Sequence, residues 1–230
     1  PGMMEADAFD LAGCCIGVVE RSRVIDGSMA MAGDVILGLA ASGLHANGYS
    51  LVRALIAQWD LDLAEPYQVR LRRTLGDAEA DALMAAAPHE AMATLGEVLL
   101  TPTRVYARAV LATRERVDLR GLAHITGGGL PGNVHRALPE TLAARLDPAR
   151  WPMPSVMRLF GALGGIEDVE LRATFNGGLG MIAIIPPSDV AAAIAVLAEH
   201  GVTATVAGEV IQTASVGGAR YVEGALESGA

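Results

Sequence analysis

The sequence predicts an α/β fold of the α+β kind. Short, nearly continuous apolar runs alternate along the chain with stretches whose apolar residues recur every three or four positions, and no internal repeat interrupts the alternation. Hydrophobic residues make up 52% of the 230 positions, ample for a sizeable core.

The first predicted strand covers residues 11–19. Cys14 and Cys15 are adjacent there and would point to opposite faces, which suits neither an ordinary disulfide nor a four-ligand metal site. They are expected as small core residues, in a reducing cytosol. The run DVILGLA then places a strand at residues 35–40, and its unbroken apolar character is that of a strand buried on both faces. Further strands are expected at residues 143–147, 181–185 and 203–210.

Helices are expected between them. Leu51, Val52, Leu55, Ile56 and Trp59 form one apolar face over residues 51–59, with Ser50 as the cap. Residues 103–116 read as a helix with Thr101 as cap and Pro102 at the first helical position. In 155–163 the stripe is Val156, Leu159, Phe160 and Leu163, and 188–200 is closed by Gly201. The Ala-rich stretch 78–87, ended by Pro88, reads as a surface helix, and the tail 223–230 as loose. A domain boundary is expected near Gly33, dividing residues 1–33 from 34–230.

The charge balance narrows the function. A formal net charge of -9 argues against nucleic-acid binding, since a phosphate backbone favours a basic face. No apolar run is long enough to cross a bilayer, and the N-terminus lacks a basic region followed by an apolar one, so neither an anchor nor a secretory signal is expected. His124, His135 and His200 lack metal-ligand spacing, so no metal ligands are expected. Arg104 and Arg108 read as solvated helix charges.

Chemistry concentrates in segments poor in side chains. ASGLHANGYSL (residues 41–51) leads from a strand to a helix: Ser42, Gly43, Asn47 and Gly48 supply turn chemistry, a loop feeding a helix start collects free N–H donors, and Ser42 and Gly43 are expected to bind the substrate phosphate. His45 adds a group that donates, accepts or carries charge near neutral pH, and is the first candidate for catalysis, with Asn47 orienting the same group. HITGGGLPGN (124–133) carries three consecutive glycines that let successive N–H groups point into one concavity. Thr126, Gly127, Gly128 and Gly129 form the expected anion cradle, with Asn133 at the following helix start. In FNGGLGMI (175–182), Asn176 and Gly178 are further candidates, with close approach of strand and loop as the competing explanation for the glycines. No segment matches the common phosphate-loop or dinucleotide fingerprints.

In order, the blocks PGMMEADAFDLAGCCIGVVER, GDVILGLAASGLHANGYSLVR, LLTPTRVY, AHITGGGLPGNVHRALP and RATFNGGLGMIAIIP resemble phosphoribosylformylglycinamidine cyclo-ligases, also called AIR synthetases. The resemblance covers nearly the whole chain. It implies a mixed sheet covered by helices, like the C-terminal domain of that family. It also implies ATP-dependent, magnesium-dependent closure of the imidazole ring in purine biosynthesis, on a small phosphorylated substrate, in a cytoplasmic enzyme that is a homodimer at full length. Family members activate the formyl oxygen of formylglycinamidine ribonucleotide by phosphorylation before an amidine nitrogen attacks the same carbon. Two phosphorylated molecules must then be held close together. The family's N-terminal ATP-binding domain is almost wholly missing, with only a remnant around residues 10–20, so a non-catalytic binding half-domain is the competing reading. A related ATP-using enzyme, such as a thiamine-monophosphate kinase, is another, which the LHANGYS and HITGGG wording disfavours. Gly177 stands where relatives often carry a larger residue, and residues 60–93 align poorly and are expected at the surface.

Overall fold

The computed structural model describes residues 13–226. Its strands are β1 (Val35–Ala40), β2 (Gly121–His124), β3 (Leu142–Leu146), β4 (Leu179–Ile185), β5 (Ala204–Gln212) and β6 (Tyr221–Glu223). They form one mixed sheet in the order β2-β4-β1-β5-β3-β6. All neighbours pair antiparallel except β3 and β6, which are parallel. The helices are α1 (Tyr49–Gln58), α2 (Tyr67–Leu75), α3 (Asp77–Ala86), α4 (Leu95–Leu99), α5 (Ala107–Arg114), α6 (Gly129–Asn133), α7 (Ser155–Gly164), α8 (Asp168–Thr174) and α9 (Val190–Glu199).

β1 is central, which explains its composition. Val35, Leu37 and Leu39 face one side, where they join Ala109 of α5 with Ala193 and Leu197 of α9. Ile36 faces the other side and shares a cluster with Ile182, Ile184, Leu130 and Val134. A third cluster lies beside the sheet, built by helices around Val52, Leu55, Tyr67, Leu71, Phe160 and Phe175. The mixed sheet with helical cover therefore stands as expected, and β1 has the expected limits.

The register slips between Leu39 and Ala40: Leu39 opposes Met181, but Ala40 opposes Leu179. Gly180 is the extra residue of that bulge. The slip ends pairing and turns the chain into the loop that starts at Ala41.

Several expectations are corrected. Residues 101–106 are not helical; α5 starts at Ala107. Tertiary hydrogen bonds hold this stretch open: Ser42 Oγ donates to the Pro102 carbonyl (2.7 Å), Arg104 to the Gly201 carbonyl (2.8 Å) and the Tyr106 hydroxyl to the Ala40 carbonyl (2.9 Å). α1 is capped by left-handed Gly48 (φ 82), and Ser50 lies within its first turn. Helix 188–200 divides into a 3-10 turn at Pro187–Asp189 followed by α9, with Gly201 left-handed beyond it as expected.

Residues 13–19 form no strand, and Leu11 of the expected 11–19 strand lies outside the described residues. Cys14 and Cys15 are exposed, as are Ile16 and Val18, because no described strand offers this segment a backbone to pair with. The expected loose tail starts too early: Glu223 belongs to β6, while residues 227–230 lie outside the described part.

Residues 60–93 are not merely surface. Leu61, Tyr67, Leu71 and Ala80 are buried in the helical cluster. α2 presents Tyr67 and Leu71 inward from an otherwise polar YQVRLRRTL, while Arg70 and Arg73 both pair with the buried Glu65. Leu71→Ala should therefore cost about 2–5 kcal/mol in urea unfolding. Met92→Ala, at an exposed position of the same stretch, should change stability by less than about 0.5 kcal/mol; equal effects would return this region to the surface.

Candidate functional site

The three side-chain-poor segments meet at one end of the sheet. The loop after β1 and the loop before β4 are tied by the Ala41 N–H, which donates to the Gly178 carbonyl (2.8 Å). Asn176 Nδ2 donates to the carbonyls of Gly43 (2.8 Å) and Leu44 (3.2 Å), and its Oδ1 accepts from the Gly178 N–H (2.8 Å). The loop after β2 reaches the same place: a Cβ placed on Gly127 would lie 3.8 Å from Asn47 Oδ1. Glycine is what permits this crowding. At Gly48 a Cβ would run into the Phe175 ring, and at Gly129 into the Arg172 carbonyl.

The predicted site residues sort into two groups. Asn133 is buried, at the end of α6 and at the start of the 3-10 helix Val134–Ala137. It accepts from Thr126 Oγ1 (3.1 Å) and donates to the carbonyls of Gly127 (3.2 Å) and Gly129 (2.8 Å). It thus holds the glycine loop from inside. Asn176 does the same for the loop after β1, with buried Gly43 and Gly178 as its partners. Ser42 is spent on structure, through its N–H to His45 Nε2 (3.1 Å) and its hydroxyl to Pro102.

Gly127, Gly128 and Asn47 form the group that faces outward. Gly127 and Gly128 are exposed and Asn47 is half-buried. Among the described residues, the N–H groups of Gly127 and Gly128 and the Asn47 amide meet no hydrogen-bond partner. Free backbone donors beside a free carboxamide, with no side chain in front, suit an anionic oxygen. α1 opens from the same loop and directs its first N–H groups to this end.

His45 is 4% exposed and sits at φ 61, a strained backbone for a residue with a Cβ. Its ring lies 6.3 Å from that of Tyr106, which lies 6.5 Å from that of His124. Since Nε2 accepts from Ser42, the proton is assigned to Nδ1, and Nδ1 is buried with no partner among the described residues. Burial, reinforced by the nearby His124 and Arg104, pushes the imidazole down to about 4. His45 is therefore a neutral, buried group that shapes the loop, and its remaining donor is unused. Burial likewise pushes the Tyr106 hydroxyl up, keeping it a neutral donor to Ala40.

Tyr106, Gly180, Arg172 and Phe175 are the parts of the site that pattern-reading did not single out. Tyr106 and the glycine each stood within a quoted block, and no local signal marked them. No carboxylate belongs to the three loops, and the described residues hold no cluster of three or more metal-ligating side chains. The cradle fits a phosphoryl group; it does not by itself fit a magnesium ion, which favours carboxylate oxygens.

A mixed sheet carrying glycine loops at one end presents backbone N–H donors with few side chains in front of them. In fold the chain is similar to a solved thiamine-monophosphate kinase from Stenotrophomonas maltophilia, with TM-score 0.54 and 16% identity over 89% of this chain and 54% of that one. The family described as AIR synthase related protein, C-terminal domain, matches residues 31–219, and the chain belongs to it. It is 42% identical over 218 residues to a phosphoribosylformylglycinamidine cyclo-ligase of Sorangium cellulosum, covering 94% of this chain and 57% of the relative. A cyclo-ligase of Anaeromyxobacter dehalogenans is 43% identical over 211 residues, covering 91% and 55%. The chain spans about half the length of the curated relatives it matches.

The displaced titration of His45 has a sign. An unfolded imidazole gains its proton near pH 6.5, whereas the folded one resists until about 4. The unfolded state binds more protons across that window, so stability falls as pH drops through it, by at most about 1.4 kcal/mol per pH unit. His45→Gln should flatten that slope in urea unfolding measured from pH 7 to 4. A His45 imidazole titrating near 6.5 by NMR would contradict the buried, neutral assignment.

Proposed function

We propose that this chain supplies the C-terminal half of an AIR-synthetase site, which closes the imidazole ring of aminoimidazole ribonucleotide from formylglycinamidine ribonucleotide with ATP. The observation that carries the reading is the pair of N–H groups on Gly127 and Gly128, unpartnered among the described residues, in a loop that passes beside Asn47. The names of the relatives support the reaction.

In this reading the glycine loop receives a phosphoryl oxygen, and Asn47 orients a second polar atom of the same ligand. Backbone donors fixed by Asn133 need no reorganisation when charge builds, which is how such a cradle lowers a barrier. His45 acts as a positioning residue through Ser42 and the loop it anchors, since its ring does not reach the open side. ATP supplies the phosphoryl group that converts the formyl oxygen into a leaving group. Magnesium would accompany it on ligands outside the three loops.

The remaining expectations attach to the whole enzyme. Residues 1–33 would be the end of an N-terminal ATP-binding domain and 34–230 the C-terminal domain. The exposed Ile16, Val18 and Met31 support that division, as apolar side chains without cover in this half. A homodimer in the cytoplasm belongs to the same reading. No described helix is long and apolar enough to cross a membrane.

Ring closure should appear when the chain is mixed with the N-terminal half of a relative, and be absent from the chain alone. Activity in neither case would favour a binding half-domain. In the complemented enzyme, Gly127→Val is the informative variant: Gly127 carries no positive φ, and a Cβ there meets nothing closer than Asn47 Oδ1. Turnover should drop on the order of 10² or more with the melting temperature held. Full turnover would remove the cradle from the site. Asn47→Ala should also lower turnover, whereas Asn133→Ala should cost about 1–3 kcal/mol of stability as well, because it strands buried carbonyls.

A further inference from the structure

A cavity of about 620 Å³ lies on the other face of the sheet from His45. Gly38, Ala40 and Leu179 line it, whereas the adjacent Gly180 faces the His45 and Tyr106 rings, and successive strand residues point to opposite faces. It therefore shares the Ala41–Gly178 pairing with the candidate site as a common wall without opening onto the glycine loop.

The lining is unusual for this chain. It includes Arg104, Arg150 and His89 and no carboxylate, although the sequence holds 26 acidic residues against 17 basic. Arg104 spends Nη1 on the Gly201 carbonyl, and its Nε is buried with no acceptor among the described residues. Arg150 is 38% exposed and pairs with the Asp147 carboxylate at 3.4 Å. Ser155 contributes a hydroxyl that accepts from Tyr67 (2.9 Å) and donates to Glu90 (2.6 Å). Apolar surface from Trp151, Met153 and Leu179 completes the enclosure.

We infer that this cavity is a second ligand site, separate from the glycine-loop cradle, for a ring-bearing organic phosphomonoester of nucleotide size. The volume falls in the range of small-molecule sites, and apolar walls with few polar groups are their usual lining. Arg104, whose guanidinium meets no carboxylate among the described residues, selects an anion, and a phosphomonoester fits a planar guanidinium better than a single carboxylate does. The apolar walls select a ring rather than a free ion. The site does not depend on the ring-closure reading, since none of its side chains enters that chemistry.

The test is calorimetric titration of the chain with adenosine monophosphate and with 1-naphthyl phosphate. Both should bind, with adenosine, 1-naphthol and inorganic phosphate each about tenfold weaker or worse. Arg104→Gln should weaken both phosphates about tenfold. Ala86→Trp, at an exposed position of the cavity wall, should block them without touching the core or Arg104. In Gly127→Val, which disables the glycine-loop cradle, both phosphates should still bind in a manner that Arg104→Gln weakens and Ala86→Trp blocks. Absence of binding at millimolar ligand, affinity indifferent to Arg104→Gln and Ala86→Trp, or loss confined to Gly127→Val would each overturn the assignment. The last outcome would move the ligand to the glycine loop.

Discussion

Gly180 stands where β4 passes beneath the Tyr106 hydroxyl and the His45 ring, and any side chain there would collide with both. The rest of the candidate site depends on that close approach. It lets the Tyr106 hydroxyl reach the end of β1, it seats His45 over the strand, and it sets the course of the loop that follows Ala40. Gly48 against Phe175 and Gly129 against the Arg172 carbonyl repeat the arrangement in the neighbouring segments. Backbone packed on backbone leaves no room for side chains between, so N–H groups become the chemistry of the surface that results.

Such packing needs internal partners for the carbonyls it buries, and two asparagines supply them. Asn133 holds the glycine loop and Asn176 the loop after β1, each engaging more than one backbone group. A buried carboxamide that satisfies several carbonyls at once is worth more than its hydrogen bonds singly, because each unpaired carbonyl would carry a desolvation cost. Behind the loops, Arg172 forms a bidentate pair with Glu223 (2.9 and 2.5 Å), and Tyr221 donates to the same carboxylate (2.7 Å). β6 is thereby fastened to α8, whose backbone supports Gly129. The short C-terminal strand thus belongs to the support of the cradle, although it lies beyond the matched family region.

Much of the fold was legible. DVILGLA announced a strand buried on both faces, and the stripe of Val156, Leu159, Phe160 and Leu163 announced α7, because burial imposes its period on apolar residues. α2 escaped notice because two inward residues, Tyr67 and Leu71, are diluted by arginines that face out or pair with Glu65. β2 and β6 were too short to show a period. The 101–106 stretch looked helical by capping rules, but its hydrogen bonds go to distant carbonyls that no local pattern reveals.

Of the site, the sequence by itself determined which segments are poor in side chains and that they carry histidine, asparagine and glycine in place of acids. Composition fixes that much, because a glycine is a glycine wherever the chain goes. Only the tertiary structure decided which donors are spent and which are free. Asn133 and Asn47 are the same residue type in neighbouring loops, yet one is enclosed by carbonyls and the other stands open beside Gly127. The exposure of Cys14 and Cys15 was settled in the same way. Burial and hydrogen-bond satisfaction depend on partners far away in sequence, and those partners are set by how the sheet registers and the loops cross.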